Sequence, residues 1–489
     1  MTARRTFSLE DQRAFARLSG DWNPLHVDPI AARRTMFEAP VVHGIHILLW
    51  ALEGWLTTRA PALPVAIASL KVAFRKPLML DTEVALEVID EPVPASSSAA
   101  PEPRVRLVGT AAELRVLEVT LGVVATTGLI LGGEPPALAF APAPRVVDRA
   151  TIGQARGRTP LALDTDAAAA MFPHTYRALG GLALAELLAM TRIVGMECPG
   201  LHSVFAGLEL HGLPAHDEPA EHAIDWSVAR TSLKYSVVDL AVRGAVFHGM
   251  LGTFYRPPPQ DGPTRAHVQA VVRPGEFHGQ RALVVGGSRG LGEAIARCLA
   301  AGGADVCITY HRGAAEADRI VRDADGSPGR VAAVALDATA RRRDGVTGQI
   351  DLRWPYDAPP SHLYYLATPR IPAVAKFSRT DLDHMLRYYV DGLLAVTGAA
   401  CALGSPLVVW APSTSFLTDG DGSAAYCMAK AAMEELCRRL PKMMPVRVRV
   451  PRLPRIATDQ TAGLMQLAAA PALDIALAEL RAVTAMAAS

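Results

Sequence analysis

A tyrosine and a lysine four residues apart, Tyr426 and Lys430, could together protonate a carbonyl oxygen. Positions i and i+4 lie on one face of a helix, so the two side chains would project side by side. A nearby ammonium stabilises phenolate and lowers the pKa of a tyrosine, which makes it a usable proton donor near neutral pH. Ser413, thirteen residues before Tyr426, could position the carbonyl. The trio suits hydride transfer to a ketone.

A glycine-rich segment, GGSRGLG at 286–292, lies between an apolar run and a helical pattern. Glycines at 286, 290 and 292 permit a tight turn, and the free N–H groups of a helix start attract a pyrophosphate. A nicotinamide dinucleotide is therefore expected here. An NAD site usually has an acid at the end of the second strand, but this chain reads Thr309-Tyr310-His311-Arg312. Arg312, helped by Arg289, favours NADP; the alternative is that both are solvated surface residues.

A carboxylate and an imidazole, Asp21 and His26, stand five positions apart near the N terminus. Such a pair can hold a water molecule between them, with His26 exchanging a substrate proton and Asp21 sharing the water. The N–H of Gly44, at the start of a predicted helix, could polarise a thioester carbonyl. The alternative is that Asp21 only caps a helix and His26 is a hydrogen-bonded structural residue.

Three stretches rich in Pro, Gly and Ser (91–103, 133–146 and 256–280) divide the elements that must position these residues. They predict domains at 1–135, 145–256 and 279–489, with a linker at 257–278. The first two each give a long apolar helix (43–58 and 178–194) followed by four strand-like runs, which predicts an antiparallel sheet wrapped on one helix, formed twice. The third alternates apolar strands with helices, which is typical of a doubly wound parallel sheet.

Composition excludes several classes. Lys and Arg total 49 and Asp and Glu 48, for a formal charge of +1, so neither nucleic acid nor an anionic membrane is an expected partner. Six scattered Cys show no metal-type spacing, and no apolar stretch is long enough to span a bilayer. The N terminus lacks a signal peptide. We therefore expect a soluble cytoplasmic protein without a structural metal.

The C-terminal third resembles the short-chain dehydrogenase/reductases, especially 3-oxoacyl thioester reductases. The resemblance rests on GGSRGLG, Asp337, the Ser413/Tyr426/Lys430 trio and AAYCMAKAAMEEL. It implies a Rossmann domain with catalytic Ser413, Tyr426 and Lys430. The cofactor-binding residues that it implies, with Tyr426 and Lys430, are Gly286, Ser288, Arg289, Gly290, Leu291, Gly292, Arg312, Asp337, Ala367 and Thr458.

This chain also departs from that family. LATPR at 366–370 replaces the usual Asn-Asn-Ala-Gly segment, and Tyr389 stands where a helix Asn completes a catalytic tetrad. Pro454-Arg455 replaces Pro-Gly, and no seventh strand is evident at 462–489.

The N-terminal part resembles the MaoC-like (R)-specific enoyl thioester hydratases through LSGDWNPLHVD and FEAPVVHGIH. The resemblance implies a hotdog fold in which Asp21 and His26 are catalytic, Asn23 supports them and Gly44 is the oxyanion donor. Residues 145–256 would be a second, non-catalytic hotdog half that makes room for the acyl chain. There His174 is expected to be structural, and Met171, Met190 and Met196 to be core or groove residues. The whole chain is then an α+β double hotdog followed by an α/β Rossmann domain.

The two sites share a 3-hydroxyacyl intermediate. The sequence therefore predicts NADPH-dependent reduction of a 3-oxoacyl thioester and loss of water to a trans-2-enoyl thioester, in fatty acid or polyketide-type biosynthesis. The acyl carrier would be an acyl carrier protein or coenzyme A, and the protein a homo-oligomer. The alternatives are a degradative hydratase/dehydrogenase that uses NAD, and a catalytically degenerate scaffold that binds a carrier protein.

Overall fold

A computed structural model of the 489-residue chain describes residues 3–59, 65–91, 104–125, 136, 143–213, 222–340, 350–371, 377–404, 406–420, 422–464 and 467–488. The predicted loop at 91–103, apart from Glu91, and most of the predicted linker at 133–146 lie outside these residues. The chain divides into two compact units. One takes Met1–Pro258 with Gly463–Gln466, and the other takes Pro259–Ala462 with Leu467–Ser489.

In the first unit, the described residues form ten strands and seven α-helices. The strands are β1 (Ala3–Thr6), β2 (Val65–Phe74), β3 (Glu83–Glu91), β4 (Arg104–Ala111), β5 (Leu114–Ala125), β6 (Arg156–Pro160), β7 (Ser203–Gly212), β8 (Ala223–Ser232), β9 (Val237–Arg243) and β10 (Phe247–Tyr255). The helices are α1 (Leu9–Ser19), α2 (Pro24–Val27), α3 (Pro29–Ala32), α4 (Gly44–Arg59), α5 (Thr165–Met171), α6 (Pro173–Leu179) and α7 (Gly181–Arg192).

All ten strands belong to one antiparallel sheet, in the order β1-β3-β4-β5-β2-β7-β10-β9-β8-β6. Each half contributes five strands, and the two halves repeat the same order outward from the centre. They meet where β2 pairs with β7, with Ser69 opposite His211 and Ala73 opposite Gly207. The two sheets predicted from the sequence are therefore continuous, and the short strands β1 and β6 at the two edges were not predicted.

Two long apolar helices, α4 and α7, pack in the hydrophobic core of this unit. Because they are apolar around most of their circumference, burial rather than amphipathicity stabilises them. Helix α7 continues into a π-helical turn, Ile193–Glu197, whose wider hydrogen-bonding pattern shifts the backbone outward. Among the described helices none alone meets the length and hydropathy of a membrane span; Pro173–Leu179 and Gly181–Glu197 meet them only as a pair bent by 116°.

In the second unit, the described residues form eight strands and eight α-helices. The strands are β11 (Arg281–Val285), β12 (Asp305–Tyr310), β13 (Arg330–Ala335), β14 (His362–Tyr365), β15 (Leu407–Trp410), β16 (Ser413–Thr414), β17 (Val446–Arg449) and β18 (Arg452–Leu453). The helices are α8 (Arg265–Val271), α9 (Gly290–Ala301), α10 (Ala314–Asp323), α11 (Arg379–Leu386), α12 (Leu393–Cys401), α13 (Phe416–Asp419), α14 (Ala424–Met443) and α15 (Ala472–Ala488).

Six of these strands form a parallel sheet in the order β13-β12-β11-β14-β15-β17. In this doubly wound topology, the strand order reverses between β11 and β14. Ligands of such folds bind outside the carboxyl ends of the strands at that point. The predicted strands correspond to these six. Within the predicted linker, α8 forms a helix with Val268 buried, and the Ala-rich tail forms α15 rather than a strand.

Candidate active sites

Asp21 lies in the turn after α1 and is 1% exposed. The helix ends there because Gly20 adopts a left-handed conformation, with φ of 76°, and closes the last turn onto Ala16. The Asp21 carboxylate then accepts two hydrogen bonds: Oδ1 from the Asn23 N–H at 3.1 Å and Oδ2 from the Thr191 hydroxyl at 2.7 Å. The carboxylate is therefore fixed from both halves of the sheet.

His26 lies on α2, a single turn that Asn23 caps by accepting from the Leu25 N–H at 3.1 Å. The Nδ1 atom of His26 lies 2.8 Å from the Val41 carbonyl oxygen. Since a carbonyl only accepts, Nδ1 carries the hydrogen and Nε2 remains an acceptor in the neutral ring. The imidazole is thus held in the tautomer that a general base requires.

The structure brings His43 to this pair, which the sequence analysis did not single out. Its ring stacks on that of His26 with 3.9 Å between centroids, and its Nε2 lies 3.1 Å from the Asp21 carbonyl oxygen. One ligand atom from each of Asp21, His26 and His43 lies within 4.8 Å of the others. Among the described residues this is the one His, Cys, Asp and Glu cluster compact enough to share a cation.

Burial controls the protonation of the pair. It raises the pKa of Asp21, although His26 and the Thr191 hydroxyl act to lower it. It lowers the pKa of His26, against the opposing charge of Asp21. Both pKa shifts favour the neutral forms of the two groups, which is the direction that proton exchange between a carboxyl group and an imidazole requires.

Gly44 is the first residue of α4, where a backbone N–H has no acceptor within the helix. A Cβ atom at this position would lie 2.8 Å from the Phe74 ring. The close approach of the ring explains why glycine occupies this position. Because it belongs to the first turn of α4, the Gly44 N–H is a donor that a substrate carbonyl oxygen could use.

The second half contributes the wall behind Asp21. Asn23 Nδ2 donates to the carbonyl oxygens of Gly195 at 2.9 Å and Gly200 at 3.1 Å. A Cβ at Gly195 would lie 2.2 Å from Asp21 Oδ1. No local pattern marks Thr191 or Gly195 as site residues, because they lie about 170 positions from Asp21 and only the fold brings them together.

In the second unit, the glycine-rich turn follows β11 and leads into α9. Gly286 and Gly290 have φ of 80° and 58°, a region that other residues rarely adopt. A Cβ at Gly292 would lie 2.3 Å from the Gly286 carbonyl oxygen, so α9 packs directly on the turn. Ser288 and Leu291 are buried. Arg289 occupies the N-cap position of α9 without a capping hydrogen bond from its side chain. The backbone is shaped to admit a pyrophosphate, and the residues present fit a dinucleotide.

The remaining predicted cofactor residues lie near the same edge of the sheet. Ala367 follows β14, and its N atom would lie 3.2 Å from a Cβ at Gly286; Thr458 Cγ2 would lie 3.3 Å from one at Gly290. Burial acts to raise the pKa of Asp337, but hydrogen bonds from Thr339 and the charges of His311 and Arg312 lower it. Arg312 is therefore close enough to Asp337 for their charges to interact.

Tyr426 and Lys430 lie together on α14. The sequence analysis predicted that Lys430 lowers the pKa of Tyr426, but in the structure that pKa is raised. Lys430 Nζ donates to the Pro412 carbonyl oxygen at 2.7 Å and lies 5.9 Å from the centre of the Tyr426 ring. Burial dominates both groups, lowering the pKa of Lys430 to about 7 and raising that of Tyr426 to about 12. The tyrosine is thus fully protonated at neutral pH.

The hydroxyl that contacts Tyr426 belongs to Thr414 and not to Ser413. The Thr414 hydroxyl is hydrogen-bonded to Tyr426 and lowers its pKa against the effect of burial. Ser413 is buried and lies on the side of Glu434, whose pKa its hydroxyl helps to lower, although Ser413 Oγ has no hydrogen bond of good geometry. Since neighbouring residues of a strand point to opposite faces, only one of the two can face Tyr426. In the structure Thr414 rather than Ser413 contacts Tyr426; the catalytic role predicted for Ser413 stays a prediction.

Comparison with known proteins matches residues 1–92 to the MaoC like domain family and residues 280–463 to the short chain dehydrogenase family. This chain joins a MaoC-like domain to a short-chain dehydrogenase domain.

Three curated relatives show the two resemblances separately. The (R)-specific enoyl-CoA hydratase of Aeromonas caviae is 37% identical over 84 residues, 17% of this chain and 62% of that protein. Peroxisomal multifunctional enzyme type 2 of Drosophila melanogaster is 40% identical over 70 residues, 14% of this chain and 12% of that protein. An NADPH-dependent aldehyde reductase-like protein of Arabidopsis thaliana is 29% identical over 179 residues, 34% of this chain and 66% of that protein. The chain thus spans less than two thirds of the length of the first two relatives.

The MaoC-like match contains Asp21, His26 and Gly44 but ends before the second half of the sheet. In that half, His174 lies at the start of α6, where its N–H and that of Thr175 donate to the Glu53 carboxylate at 2.9 and 2.8 Å. These contacts agree with a structural role for His174. Met190 and Met196 are buried and Met171 packs at the edge of the core.

The short-chain dehydrogenase domain has a tyrosine beside its lysine. Tyr389 lies in a π-helical turn, Arg387–Gly392, and Lys430 Nζ stands 4.1 Å from the centre of its ring. The Tyr389 hydroxyl lies 2.5 Å from Thr368 Oγ1. The two departures from the family pattern, at Thr368 and Tyr389, therefore contact each other. The face of the Tyr389 ring contacts the Lys430 ammonium here. An asparagine at this position would instead offer an amide oxygen as a hydrogen-bond acceptor.

Proposed function

We propose that this protein reduces a 3-oxoacyl thioester with NADPH and then removes water from the 3-hydroxyacyl product to give a trans-2-enoyl thioester. The observation that carries the proposal is that one chain holds both a carboxyl–imidazole pair, buried Asp21 and half-buried His26, and a buried tyrosine–lysine pair, Tyr426 and Lys430. Each suits one of two consecutive reactions.

The reductase half would bind the dinucleotide with its pyrophosphate on the Gly286–Gly292 turn and its adenosine end near Arg312 and Asp337. When bound, the nicotinamide supplies a hydride to C3 of the substrate. Tyr426 then gives its hydroxyl proton to the former ketone oxygen. A pKa of about 12 suits this step, because the Tyr426 phenol is still a stronger acid than the alcohol that forms when the substrate alkoxide takes its proton. Thr414 would hold the substrate oxygen against Tyr426.

The dehydratase half would act on the resulting alcohol. His26 Nε2 removes a proton from C2, the electrons of that C–H bond form the C2–C3 double bond, and the C3–O bond breaks. The carboxylic acid of Asp21 gives its proton to the departing hydroxyl, which leaves as water. The Gly44 N–H donates to the thioester oxygen while negative charge develops there.

The fold and the direction belong to the same proposal. The shared strand order of the two halves, each with one long buried helix, supports a double hotdog in which the second half completes the site around Asp21. The absence of an acid at the end of β12 and the presence of Arg312 support NADPH, and a reduced cofactor pool favours reduction. Six cysteines without a disulfide support a reducing compartment such as the cytoplasm. Substrates would be carried on coenzyme A or an acyl carrier protein.

The test is incubation of the full chain with 3-oxobutyryl-CoA and NADPH, followed by mass spectrometry of the thioesters. The expected result is a product with two added hydrogens, and then its dehydrated form. His26→Ala should stop at the alcohol, and Tyr426→Phe should leave the ketone. If wild type and both variants give the same products, the residue assignments are wrong; if wild type gives none, a carrier-binding scaffold is favoured.

The reverse direction, hydration followed by oxidation, has one observation in its favour. A segment of this chain matches a protein whose name, peroxisomal multifunctional enzyme type 2, combines several activities in one chain. Initial rates with crotonyl-CoA and NAD⁺ against 3-oxobutyryl-CoA and NADPH separate the two directions. A clear preference for the first pair would contradict the biosynthetic proposal.

A further inference from the structure

Arg256, directly after β10, is a buried cation for which the described residues offer no counter-ion. It is 3% exposed, its Nη2 donates to the Leu201 carbonyl oxygen, and its Nε has no hydrogen-bond partner. Within the described part of the chain, the one group whose charge raises its pKa is the Tyr255 phenol. Burial lowers the pKa of Arg256 to about 10, so the guanidinium stays charged at neutral pH. Such a charge is strongly unfavourable unless an anion reaches it.

His202 provides a second unsatisfied group beside this arginine. It is 6% exposed, its Nδ1 has no hydrogen-bond partner, and its carbonyl oxygen accepts from the Arg256 N–H at 2.7 Å. Burial and the charge of Arg256 lower the pKa of His202. A neutral imidazole carries one N–H, which Nδ1 can present to an acceptor. Two neighbouring residues, joined by this backbone hydrogen bond, thus each have one buried side-chain nitrogen without a hydrogen-bond partner.

The position of these groups connects them with the candidate dehydratase site. The Leu201 carbonyl oxygen that accepts from Arg256 also lies 3.4 Å from Asn23 Nδ2, and Asn23 caps the helical turn that carries His26. The charge of Arg256 reaches the His26 ring and helps to lower its pKa. Arg256 is therefore linked to the Asn23 cap through one shared acceptor, the Leu201 carbonyl oxygen.

We propose that Arg256 and His202 recognise an oxyanion carried by the thioester substrate of the dehydratase site. The inference rests on the proposed function and names the substrate class that it selects. A carboxylate on the acyl chain and the phosphate of a phosphopantetheine arm offer the same charged oxygens. A guanidinium with a free Nε and an imidazole N–H can each donate to them. Because the Leu201 carbonyl oxygen links Arg256 to the cap of the turn that carries His26, a carboxylate on the acyl chain is the expected source rather than a phosphate at the far end of the long pantetheine arm.

The test measures binding by calorimetry with non-reactive ligands in matched pairs. One pair is the adipyl and hexanoyl thioesters of N-acetylcysteamine, which differ in a terminal carboxylate. The other is 4′-phosphopantetheine and pantetheine, which differ in the phosphate. In the full-length wild type, the anionic member of one pair should bind roughly ten- to hundredfold more tightly, as expected for hydrogen bonds to a charged group. The pair that shows the difference identifies the source of the oxyanion.

Arg256→Gln should remove that preference and leave the affinity for the neutral member unchanged. His202→Phe should reduce it by a smaller factor, and it serves as the second test if Arg256→Gln does not fold. Arg230→Gln, at an exposed arginine of β8 paired with Asp239, is the matched control and should keep the wild-type preference. The inference is wrong if wild type shows no preference in either pair, or if Arg256→Gln weakens neutral and anionic ligands equally.

Hydration of crotonyl-N-acetylcysteamine by wild type is measured separately. This thioester carries no anion, so its turnover reports on the proposed function alone. A protein that hydrates it but lacks any anion preference would retain the proposed function and lose this inference. A protein that binds the anionic ligand through Arg256 but turns over nothing would retain the anion site and lose the proposed function.

Discussion

At the scale of single residues, the reductase site depends on which hydroxyl faces Tyr426. Residues 413–415 read Ser-Thr-Ser, so spacing alone offers three hydroxyls. The backbone direction of β16 places Thr414 on Tyr426 and turns Ser413 toward Glu434. A one-residue difference in register therefore decides which hydroxyl faces Tyr426.

The exchange of these two hydroxyls makes a direct prediction. Thr414→Val should lower kcat/KM for ketone reduction by about a hundredfold, because it removes the hydrogen bond to Tyr426 and to the substrate oxygen while keeping the shape of the side chain. Ser413→Ala should change it by less than threefold. Initial rates of NADPH oxidation measure both. The opposite ranking of the two variants would restore the assignment made from spacing.

At the scale of elements, the π-helical turn Ile193–Glu197 shapes the dehydratase site. It places the Gly195 backbone against the Asp21 carboxylate and offers the Gly195 carbonyl oxygen to Asn23. Extra residues in a helical turn often occur at functional sites because they move the backbone without ending the helix. The second half of the sheet is thus part of the site around Asp21.

Gly195→Ala should therefore damage the dehydratase while leaving the reductase intact. The new Cβ would lie 2.2 Å from Asp21 Oδ1, which forces the carboxylate away from His26. We expect a loss of about a hundredfold or more in crotonyl-CoA hydration, read from the decay of enoyl thioester absorbance. Gly153→Ala is the matched control, since its nearest contact would be an ordinary 3.6 Å to Thr231. Equal effects from the two substitutions would contradict the role of the π-helical turn.

Glu186 on α7 predicts a pH dependence of stability. It is fully buried and accepts from the N–H groups of Ala245, Val246 and Phe247. Burial nevertheless raises its pKa from 4.5 to about 7. Between these values the folded protein keeps a proton that the unfolded chain releases, so stability falls as pH rises through this window. The full shift corresponds to about 3 kcal/mol.

The measurement is urea unfolding of wild type and Glu186→Gln at several pH values from 4.5 to 8. The amide cannot ionise, so the variant should lose the part of the decline that Glu186 causes. The difference between the two unfolding free energies should therefore change by about 3 kcal/mol across the window. A constant difference would show that folding does not raise the pKa of Glu186.

At the scale of the whole molecule, each unit has its own core and its own complete site. The core of the first unit surrounds α4 and α7, whereas two clusters cover the faces of the parallel sheet in the second. The residues of the Asp21 site all come from the first unit, and those of the Tyr426 site from the second. Under the proposed function, each unit would therefore supply all of the side chains for one of the two reactions.

This separation predicts that the two activities complement each other between molecules. His26→Ala should release the 3-hydroxyacyl thioester, and Tyr426→Phe should dehydrate it, so an equimolar mixture should form the enoyl product that neither variant forms alone from the ketone. Mass spectrometry of the thioesters measures this. The double variant His26→Ala/Tyr426→Phe, alone in solution, is the control. A mixture that stops at the alcohol would contradict the independence of the two sites.

The sequence by itself determined the local chemistry. It placed the glycine-rich turn before a helix and Tyr426 and Lys430 on one helix, because both depend on spacing within one element. Asp21, His26 and Gly44 were assigned through the resemblance to the MaoC-like hydratases, and their catalytic roles stay a prediction. The sequence also predicted the six parallel strands and the two long buried helices, because apolar periodicity reports burial directly. All of these features depend on residues that are near each other along the chain.

Tertiary structure alone decided the partners of these groups. The joining of both halves into one sheet, the contact of Thr191 and Gly195 with Asp21, the choice of Thr414 over Ser413, and the burial of Arg256 beside the dehydratase site all join distant segments or depend on strand direction. Burial reversed the expected pKa shift of Tyr426, since the loss of solvent around a charge outweighs the nearest ammonium. Such effects depend on the whole packed environment, which no short stretch of sequence specifies.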